Sequence, residues 1–480
     1  MVLEEKPLVV DLDGSLLKTD LLYESANQFF ALFPLQFWKI FLWAFRGKAY
    51  LKKHLALRIK LNPSLLPYNQ GVLKWLFDQK AAGRNLILAT ASHEILARSV
   101  ASHLNIFSEV IATQNTINLR GQAKKIALCN KFGSKGFDYL GDSIIDIPVW
   151  KEANNSYVVT NSQRLNKTLK KIPTIKIQTI FPNEHANFLV SLIKVLRIHQ
   201  WVKNLLIFIP IIAAHRLFDH LGLMHAVLAF IAFSLCASAV YILNDLVDVE
   251  NDRNHLRKRL RVFAAGNLSL LIGWLLWPIL IISAIFLSLF TLPFMFLVVL
   301  GVYFFITLAY SFRLKRVAIL DVLILATLYT LRIIAGAIVT NVPISFWLLT
   351  FSLFIFLSLA FVKRFGELKS SASINSEGAI SGRGYTTEDG ELVATMGLAS
   401  GYLSVLVLAL YIQDSNTAVL YRAPQIIWMA CPVMLYWISR TWLITHRGLM
   451  HDDPIIFAVK DKVSWAVALC FIFIFILASL

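Results

Sequence analysis

From about residue 204 to its end, this chain reads as one apolar run after another. There are nine, at roughly 204–218, 225–246, 269–289, 293–311, 318–340, 344–362, 394–412, 424–445 and 463–480. About 20 such residues cross the hydrocarbon of a bilayer as a helix, and no water is available there to satisfy peptide groups. Helices are therefore the fold these runs admit. The chain is 57% hydrophobic and 16% charged, where a soluble globular chain carries about 25% charged residues. A one-domain soluble enzyme and a disordered scaffold are both excluded. The average conceals a split: residues 1–190 hold 24 Lys+Arg and 14 Asp+Glu, and residues 191–480 the remaining 22 and 15. We expect an α/β head over 1–160, a linker over 161–193, and an all-α polytopic membrane body over 194–480.

Loops 247–268, 312–317, 363–393 and 446–462 contain five, three, four and three Lys/Arg, whereas the alternate loops contain only Arg216 and Arg422. Basic loops stay on the cytoplasmic side. The expected topology is a cell-membrane protein with its head in the cytoplasm and its C-terminus outside. Anionic lipid and phosphate substrates account for the basic balance, and no nucleic-acid-binding pattern is present. Cys129, Cys236, Cys431 and Cys470 are scattered, without metal-ligand spacing. The opening MVLEEKPLVV is short and acidic, unlike a signal peptide.

In the head, three short apolar strands run into polar residues: Leu8-Val9-Val10 into Asp11-Leu12-Asp13-Gly14-Ser15, Leu86–Ala89 into Thr90, and Phe137–Leu140 into Gly141-Asp142-Ser143. Strands alternating with helical stretches predict a parallel sheet with its site at the strand C-termini. Asp11 and Asp13 share one side of an extended segment. One can attack phosphorus while the other protonates the leaving alcohol. Thr90 can donate to a phosphoryl group, Lys124 can balance charge, and Asp142 and Asp146 offer oxygens to Mg²⁺. Residues 20–80 look helical. Within them 28–46 (QFFALFPLQFWKIFLWAFR) is unusually apolar but interrupted by Pro34, Gln36 and Lys39, which favours a helix lying on the membrane over one crossing it.

These four motifs, in order over 8–150, resemble the haloacid dehalogenase (HAD) superfamily of phosphatases. The resemblance implies a Rossmann-like domain with 20–80 as its cap, Asp11 as nucleophile and Asp13 as acid/base. Thr90 and Lys124 would bind phosphate, with Mg²⁺ served by Asp11, Asp13, Asp142 and Asp146. Lys125 rivals Lys124, and Ser15 stands where the family usually has threonine.

The second apolar run ends in Asn244-Asp245-Leu246-Val247-Asp248-Val249-Glu250-Asn251-Asp252-Arg253. On one helix Asp245, Asp248 and Asp252 fall within about 60° of one face. Such carboxylates repel unless cations bridge them, and Mg²⁺ on a diphosphate suits them. The adjoining His255, Arg257, Lys258, Arg259 and Arg261 are either topogenic charge or a phosphate clamp. Asp321 opens the fifth run with Arg332 eleven residues deeper, about 16 Å along a helix. A mid-membrane arginine is expected to line a polar cavity. Lys363, Arg364, Glu367, Arg383 and Tyr385 fall on the same expected face, so one polar site open to the cytosol is predicted.

The Asn-Asp-x-x-Asp-x-x-x-Asp run within nine spans resembles the UbiA superfamily of intramembrane prenyltransferases, although Asp321 is followed at i+4 by Leu325 rather than a second acid. Arg197-x-His199-Gln200-Trp201-Val202-Lys203-Asn204, Tyr310-Ser311-x-x-Leu314-Lys315, Asp321…Arg332-x-x-Ala335-Gly336, Lys363-Arg364-x-x-Glu367 and Asp453-Pro454…Asp461 resemble its decaprenyl-phosphate phosphoribosyltransferase branch. Leu256 and Val262 replace two prolines of that branch. The resemblance implies phosphoribosyl diphosphate (PRPP) as donor and a polyprenyl phosphate as acceptor. Asp245, Asp248 and Asp252 would hold Mg²⁺. Lys203, Asn244, Arg253, His255, Lys258, Arg261, Lys315, Asp321, Arg332, Lys363, Arg364, Glu367 and Tyr385 would bind substrate. The head would then remove the 5-phosphate from the lipid-linked ribose. Two alternatives stand: a conventional prenyl transfer to an aromatic or other small acceptor, and a non-enzymatic assembly factor. The oligomeric state, a homo-oligomer included, is open.

Overall fold

The computed structural model describes residues 6–114, 118–182, 187–372, 384–413, 421–450 and 453–480. Arg383, and part of the segment read as linker, lie outside them. The chain divides into two compact units: residues 1–196 with 241–277, and residues 197–240 with 278–480.

The first unit is built on a six-stranded parallel sheet. Its strands are β1 (Leu8–Val10), β2 (Leu86–His93), β3 (Glu109–Thr113), β4 (Asp138–Gly141), β5 (Ser156–Val159) and β6 (Ile177–Phe181), in the order β3-β2-β1-β4-β5-β6. Val10 pairs with Leu88 on one side and Leu140 on the other. Both faces are covered: Leu8, Val10 and Leu88 pack into one core, Val9, Ile87 and Tyr139 into another. This is why the strands read as continuous apolar runs rather than alternating ones. The strand order reverses at β1, and in parallel sheets of this kind the crevice outside the strand C-termini at that point is where ligands bind.

The expected linker is not merely a linker. Ser162 caps a helix over Gln163–Lys170, and Ile177–Phe181 adds the edge strand. Lysines at 167, 170, 171 and 176 mask the alternation there. Residues 20–80 are helical, as expected, but 28–46 is not one helix. Leu21–Leu32 and Pro34–Phe45 meet at a 116° bend, at the residue where proline removes an amide donor.

Among the described residues nine helices are long and apolar enough to cross a membrane, and the chain is a multi-pass membrane protein. Eight correspond to the expected runs. The first is corrected: it covers Phe188–Ala213 rather than 204–218. Lys194, Arg197 and Lys203 lower its local hydropathy, and a 3-10 stretch over Ile198–Phe208 interrupts it. In the second unit small residues permit close helix approach. A Cβ on Gly336 would collide with the Ile207 carbonyl.

Candidate active sites

At the C-terminal end of the sheet, Asp11 follows β1 and Asp142 follows β4. The Ile144–Asp146 turn, capped reciprocally by Ser143 and Asp146, returns Asp146 toward them. One ligand oxygen from each of Asp11, Asp142 and Asp146 lies within 4.8 Å of the others. This all-oxygen set fits a hard divalent cation. Gly14 makes the approach possible. Its φ is +78°, and a Cβ there would collide with the Asp142 carboxylate. Ser15 Oγ also reaches Asp142, at 3.5 Å.

Lys124 is the lysine of this site. Its Nζ donates to Asp11 Oδ1 at 2.8 Å and to the Tyr139 hydroxyl at 3.0 Å, and Tyr139 donates to Asp146 at 2.9 Å. Lys125 instead pairs with Glu152 at the surface. Burial pushes the Asp11 carboxyl up to about 7, against the pull of Lys124. Burial opposes the charge on Lys124, but Asp11 and Asp146 outweigh it and raise its pKa.

Asp13, also expected among the metal ligands, directs its carboxylate elsewhere and is not one of the three whose oxygens converge. Its Oδ2 accepts from Ser92 Oγ (2.7 Å) and Thr90 Oγ1 (3.1 Å), and its Oδ1 accepts from the Leu21 amide. Residues i and i+2 of a turn need not aim their carboxylates alike, and here hydroxyls of β2 draw this one aside. Thr90 is accordingly engaged with Asp13 and, as acceptor, with the Ser92 amide. Burial, then Asp20, push Asp13 up to about 6, a value suited to a group that both gives and takes protons near neutrality. Ser92 and Tyr139 were not singled out from the sequence. Ser92 was legible as the i+2 neighbour of Thr90, and Tyr139 was hidden in an apolar strand.

The Asp-rich segment lies in the same unit. The helix over His220–Val247 breaks at Asp248 and resumes as Val249–Asn254. The amides of Asp248 and Asp252 still bond the carbonyls of Asn244 and Asp248, four residues back. The turn is thus conserved in pitch if not in regularity, and Asp245 and Asp252 reach the same group. Arg261 Nη1 donates to Asp245 Oδ1 (3.1 Å) and Asp252 Oδ2 (2.8 Å). Burial raises the pKa of Asp252 and Arg261 restrains the rise. Two carboxylates thus converge on one guanidinium, whereas among the described residues three metal-ligand oxygens come together only at Asp11, Asp142 and Asp146.

Not every basic residue of the following loop acts as a clamp. Arg253 is committed elsewhere: its Nη1 and Nη2 donate to both oxygens of Glu24 at 3.0 and 2.7 Å, and its Nε to the Ala264 carbonyl. A buried guanidinium with these partners is held away from the expected clamp by Glu24 and the Ala264 carbonyl. His255 Nδ1 accepts from the Arg257 and Lys258 amides and turns the loop. Lys258 is exposed.

The second unit holds the remaining expected residues in three groups. Lys203 and Lys363 share the Asp453 carboxylate at 2.8 and 3.3 Å. Asp321 pairs with Arg364, which also pairs with Glu367, and Tyr385 donates to Asp321 at 2.6 Å. The Tyr385 hydroxyl accepts from the Ile319 amide at 2.8 Å, at a β-branched residue held at φ +66°. Arg332 is buried. Its Nε donates to Asn204 Oδ1 (2.8 Å), Nη2 to the Tyr303 hydroxyl (3.2 Å) and Nη1 to the Leu328 carbonyl. Three protein acceptors satisfy this intramembrane charge, so the cavity expected around it is not what solvates it. Lys315 lies in the short turn Leu314–Arg316.

Residues 205–457, more than half of the chain, match the UbiA prenyltransferase family. The chain belongs to this family. A decaprenyl-phosphate phosphoribosyltransferase of Mycolicibacterium smegmatis is 30% identical over 282 residues, covering 58% of this chain and 88% of the relative. The nodulation protein NoeC of Azorhizobium caulinodans is 36% identical over 273 residues, 55% of this chain and 85% of its own. The uncharacterised protein y4nM of Sinorhizobium fredii is 36% identical over 473 residues, 98% and 91% respectively, and so runs along head and body together. A solved UbiA homologue from Archaeoglobus fulgidus bound to DMAPP and Mg²⁺ aligns with 59% of this chain and 98% of its own. Its 16% identity and TM-score of 0.46 are too low to place any residue. The UbiA match embraces the Asp-rich turn, Arg261, Asp321, Arg332, Arg364 and Asp453. The carboxylates at the sheet edge lie outside it.

Proposed function

We propose that this UbiA family member is a bifunctional enzyme that transfers 5-phosphoribosyl from PRPP to a polyprenyl phosphate and then dephosphorylates the product. The likeness to the mycolicibacterial phosphoribosyltransferase over 88% of its length carries the first half of this reading. The sheet-end constellation of Asp11, Asp13, Lys124, Asp142 and Asp146 carries the second, as a HAD-type phosphatase. The asymmetry of Lys/Arg between alternate loops supports a cytoplasmic head and an external C-terminus.

In the transferase, Asp245, Asp248 and Asp252 would hold Mg²⁺, which when bound screens the diphosphate and eases its departure. Arg261 neutralises the departing pyrophosphate. Lys203 and Lys363, two ammonium groups on one carboxylate, retain a positive charge for the lipid phosphate. The bond from the ribose anomeric carbon to pyrophosphate breaks, and that to a lipid phosphate oxygen forms. No protein nucleophile is required.

In the phosphatase, Asp11, Asp142 and Asp146 would hold a second Mg²⁺. Asp11 attacks phosphorus, Asp13 gives its proton to the leaving ribose 5-oxygen, and Asp13 then takes a proton from the water that hydrolyses the aspartyl phosphate. Lys124 holds the Asp11 carboxyl in place and opposes the rise that burial imposes on it.

The experiment follows label from PRPP into polyprenyl phosphate with purified protein and Mg²⁺, comparing wild type with Asp248→Ala and Asp11→Ala. Transfer that requires Asp248, with the 5-phospho lipid accumulating in Asp11→Ala, is expected. Absence of label in lipid transfers the reading to prenyl diphosphate donors, the activity for which the family is named.

A further inference from the structure

The bent helix pair between β1 and β2 exposes a run of large apolar side chains. Leu35 is 90% and Phe45 89% exposed, with Phe37, Trp38, Phe41 and Leu42 about half exposed between them. Contiguous patches of this kind mark interaction surfaces. The opposite side is conventional core, where Phe29 and Trp43 pack with Leu51 and Leu55. The only charges on Pro34–Phe45 and its cap are Lys39 and Arg46, which lie over the rings of Trp38 and Tyr50. Amphipathic side chains adopt this arrangement where apolar and wet surroundings meet.

The neighbours of the pair identify those surroundings. Asn27 Nδ2 donates to the Leu246 carbonyl at 2.7 Å, and Asn27 Oδ1 accepts from Trp274 Nε1 at 3.1 Å. Phe30 meets the Trp274 ring edge-on at 4.5 Å. Leu246 closes the apolar His220–Val247 helix and Trp274 lies near the start of Leu270–Thr291, both long and apolar enough to span a bilayer. The pair is thus fastened where two membrane helices leave the hydrocarbon. Pro34–Phe45 reaches only about 18 Å, against roughly 30 Å of hydrocarbon, and the 116° bend denies it the preceding helix as an extension.

We propose that Leu32–Phe45 is a monotopic membrane insert, lying in the interfacial layer of the leaflet that holds the ends of the 220–247 and 270–291 helices. Its occupant is lipid, not a partner protein. The insert also connects to the sheet-end site. Gly47, at φ +110°, turns the chain into the helix Lys48–Ala56, whose Lys52 Nζ donates to the Ala91 carbonyl at 2.6 Å, beside the Ser92 that holds Asp13. One helix separates lipid-facing side chains from the aspartates. That places the site for phosphate esters carried at the membrane surface, a deduction resting on the phosphatase reading; the insertion itself does not.

The test uses the full chain with its four cysteines replaced by serine. An environment-sensitive fluorophore is attached after Leu35→Cys, Phe45→Cys or, as a water-exposed control, Lys80→Cys. The proteins are reconstituted in phosphatidylcholine–phosphatidylglycerol vesicles containing lipids with a nitroxide either near the headgroup or at the chain end. The insert predicts at least about twofold stronger quenching by the shallow nitroxide at positions 35 and 45 than at 80, and protection there from aqueous iodide. Iodide access equal to that at position 80 overturns it. So does stronger quenching by the deep nitroxide, the mark of a crossing segment. Lipid-independent crosslinking between copies at position 35 assigns the surface to a second chain and overturns it as well. Both substituted positions are almost fully exposed, so misfolding does not decide the result.

Discussion

Glu24 and Arg253 form the ion pair most open to a decisive test. Two N–H···O bonds of 3.0 and 2.7 Å join side chains that are 3% and 8% exposed. Glu24→Gln leaves the guanidinium buried with a neutral partner. Breaking a buried pair from one side costs about 3–5 kcal/mol. For a unit of this size each kcal/mol lowers the melting temperature by about 2–4 °C, so a fall of about 6–20 °C is expected. The double variant Glu24→Gln/Arg253→Met removes both charges and should recover much of the loss, because the desolvation cost disappears with them. Thermal unfolding of the full chain in detergent, followed by tryptophan fluorescence, reads the effect, with Lys80→Gln as exposed control. The reasoning fails if Glu24→Gln melts with the wild type while Arg253→Met raises the KM for PRPP. Arg253 would then be a substrate group after all.

Four further outcomes are expected. Lys124→Met should lower hydrolysis of p-nitrophenyl phosphate by about a hundredfold or more, and Lys125→Met should leave it within about twofold, since its partner Glu152 is at the surface; equal losses would return the assignment to Lys125. Gly14→Ala, which forces a Cβ into the Asp142 carboxylate at positive φ, should destabilise the head by about 1–3 kcal/mol and weaken its Mg²⁺ affinity, as titration calorimetry would read. Because burial lifts the Asp11 carboxyl to about 7, it holds its proton below that pH and a protonated carboxyl is a poor ligand. Mg²⁺ affinity of the head should therefore fall with falling pH from 7, by up to about tenfold per unit, and a flat profile contradicts this. Tyr385→Phe removes the hydroxyl that joins Asp321 to the Ile319 amide and should cost about 1–3 kcal/mol of thermal stability, with Ile319→Gly restoring part of it by relieving the strained φ.

What the sequence disclosed depended on the range of the interaction. Strands β1, β2 and β4 were legible because a buried parallel strand announces itself as a short apolar run ending in polar residues. The later membrane helices were legible because bilayer thickness sets their length. The first was displaced because Lys203 counts against burial in any hydropathy sum until its partner, Asp453, 250 residues away, is known. Strand β6 was lost for a different reason, since the exposed lysines at 170, 171 and 176 before it read as a solvated connection. Within the candidate sites, Asp11, Lys124, Asp142 and Asp146 were readable from motif spacing. The diversion of Asp13 toward Ser92 was not, since a hydroxyl on another strand decides it. Arg253 and Arg332 looked like substrate groups because their acceptors, Glu24 and Asn204, lie 229 and 128 residues away.

Asn27 has a consequence for how such a chain can be taken apart. A single amide side chain satisfies a carbonyl at the end of one membrane helix and an indole N–H near the start of another. Expressing residues 197–480 alone would strand both polar groups, and expressing the head alone would strand the amide. The halves are not interchangeable cassettes on a tether. Separating them leaves an indole N–H and a helix-end carbonyl to find other partners.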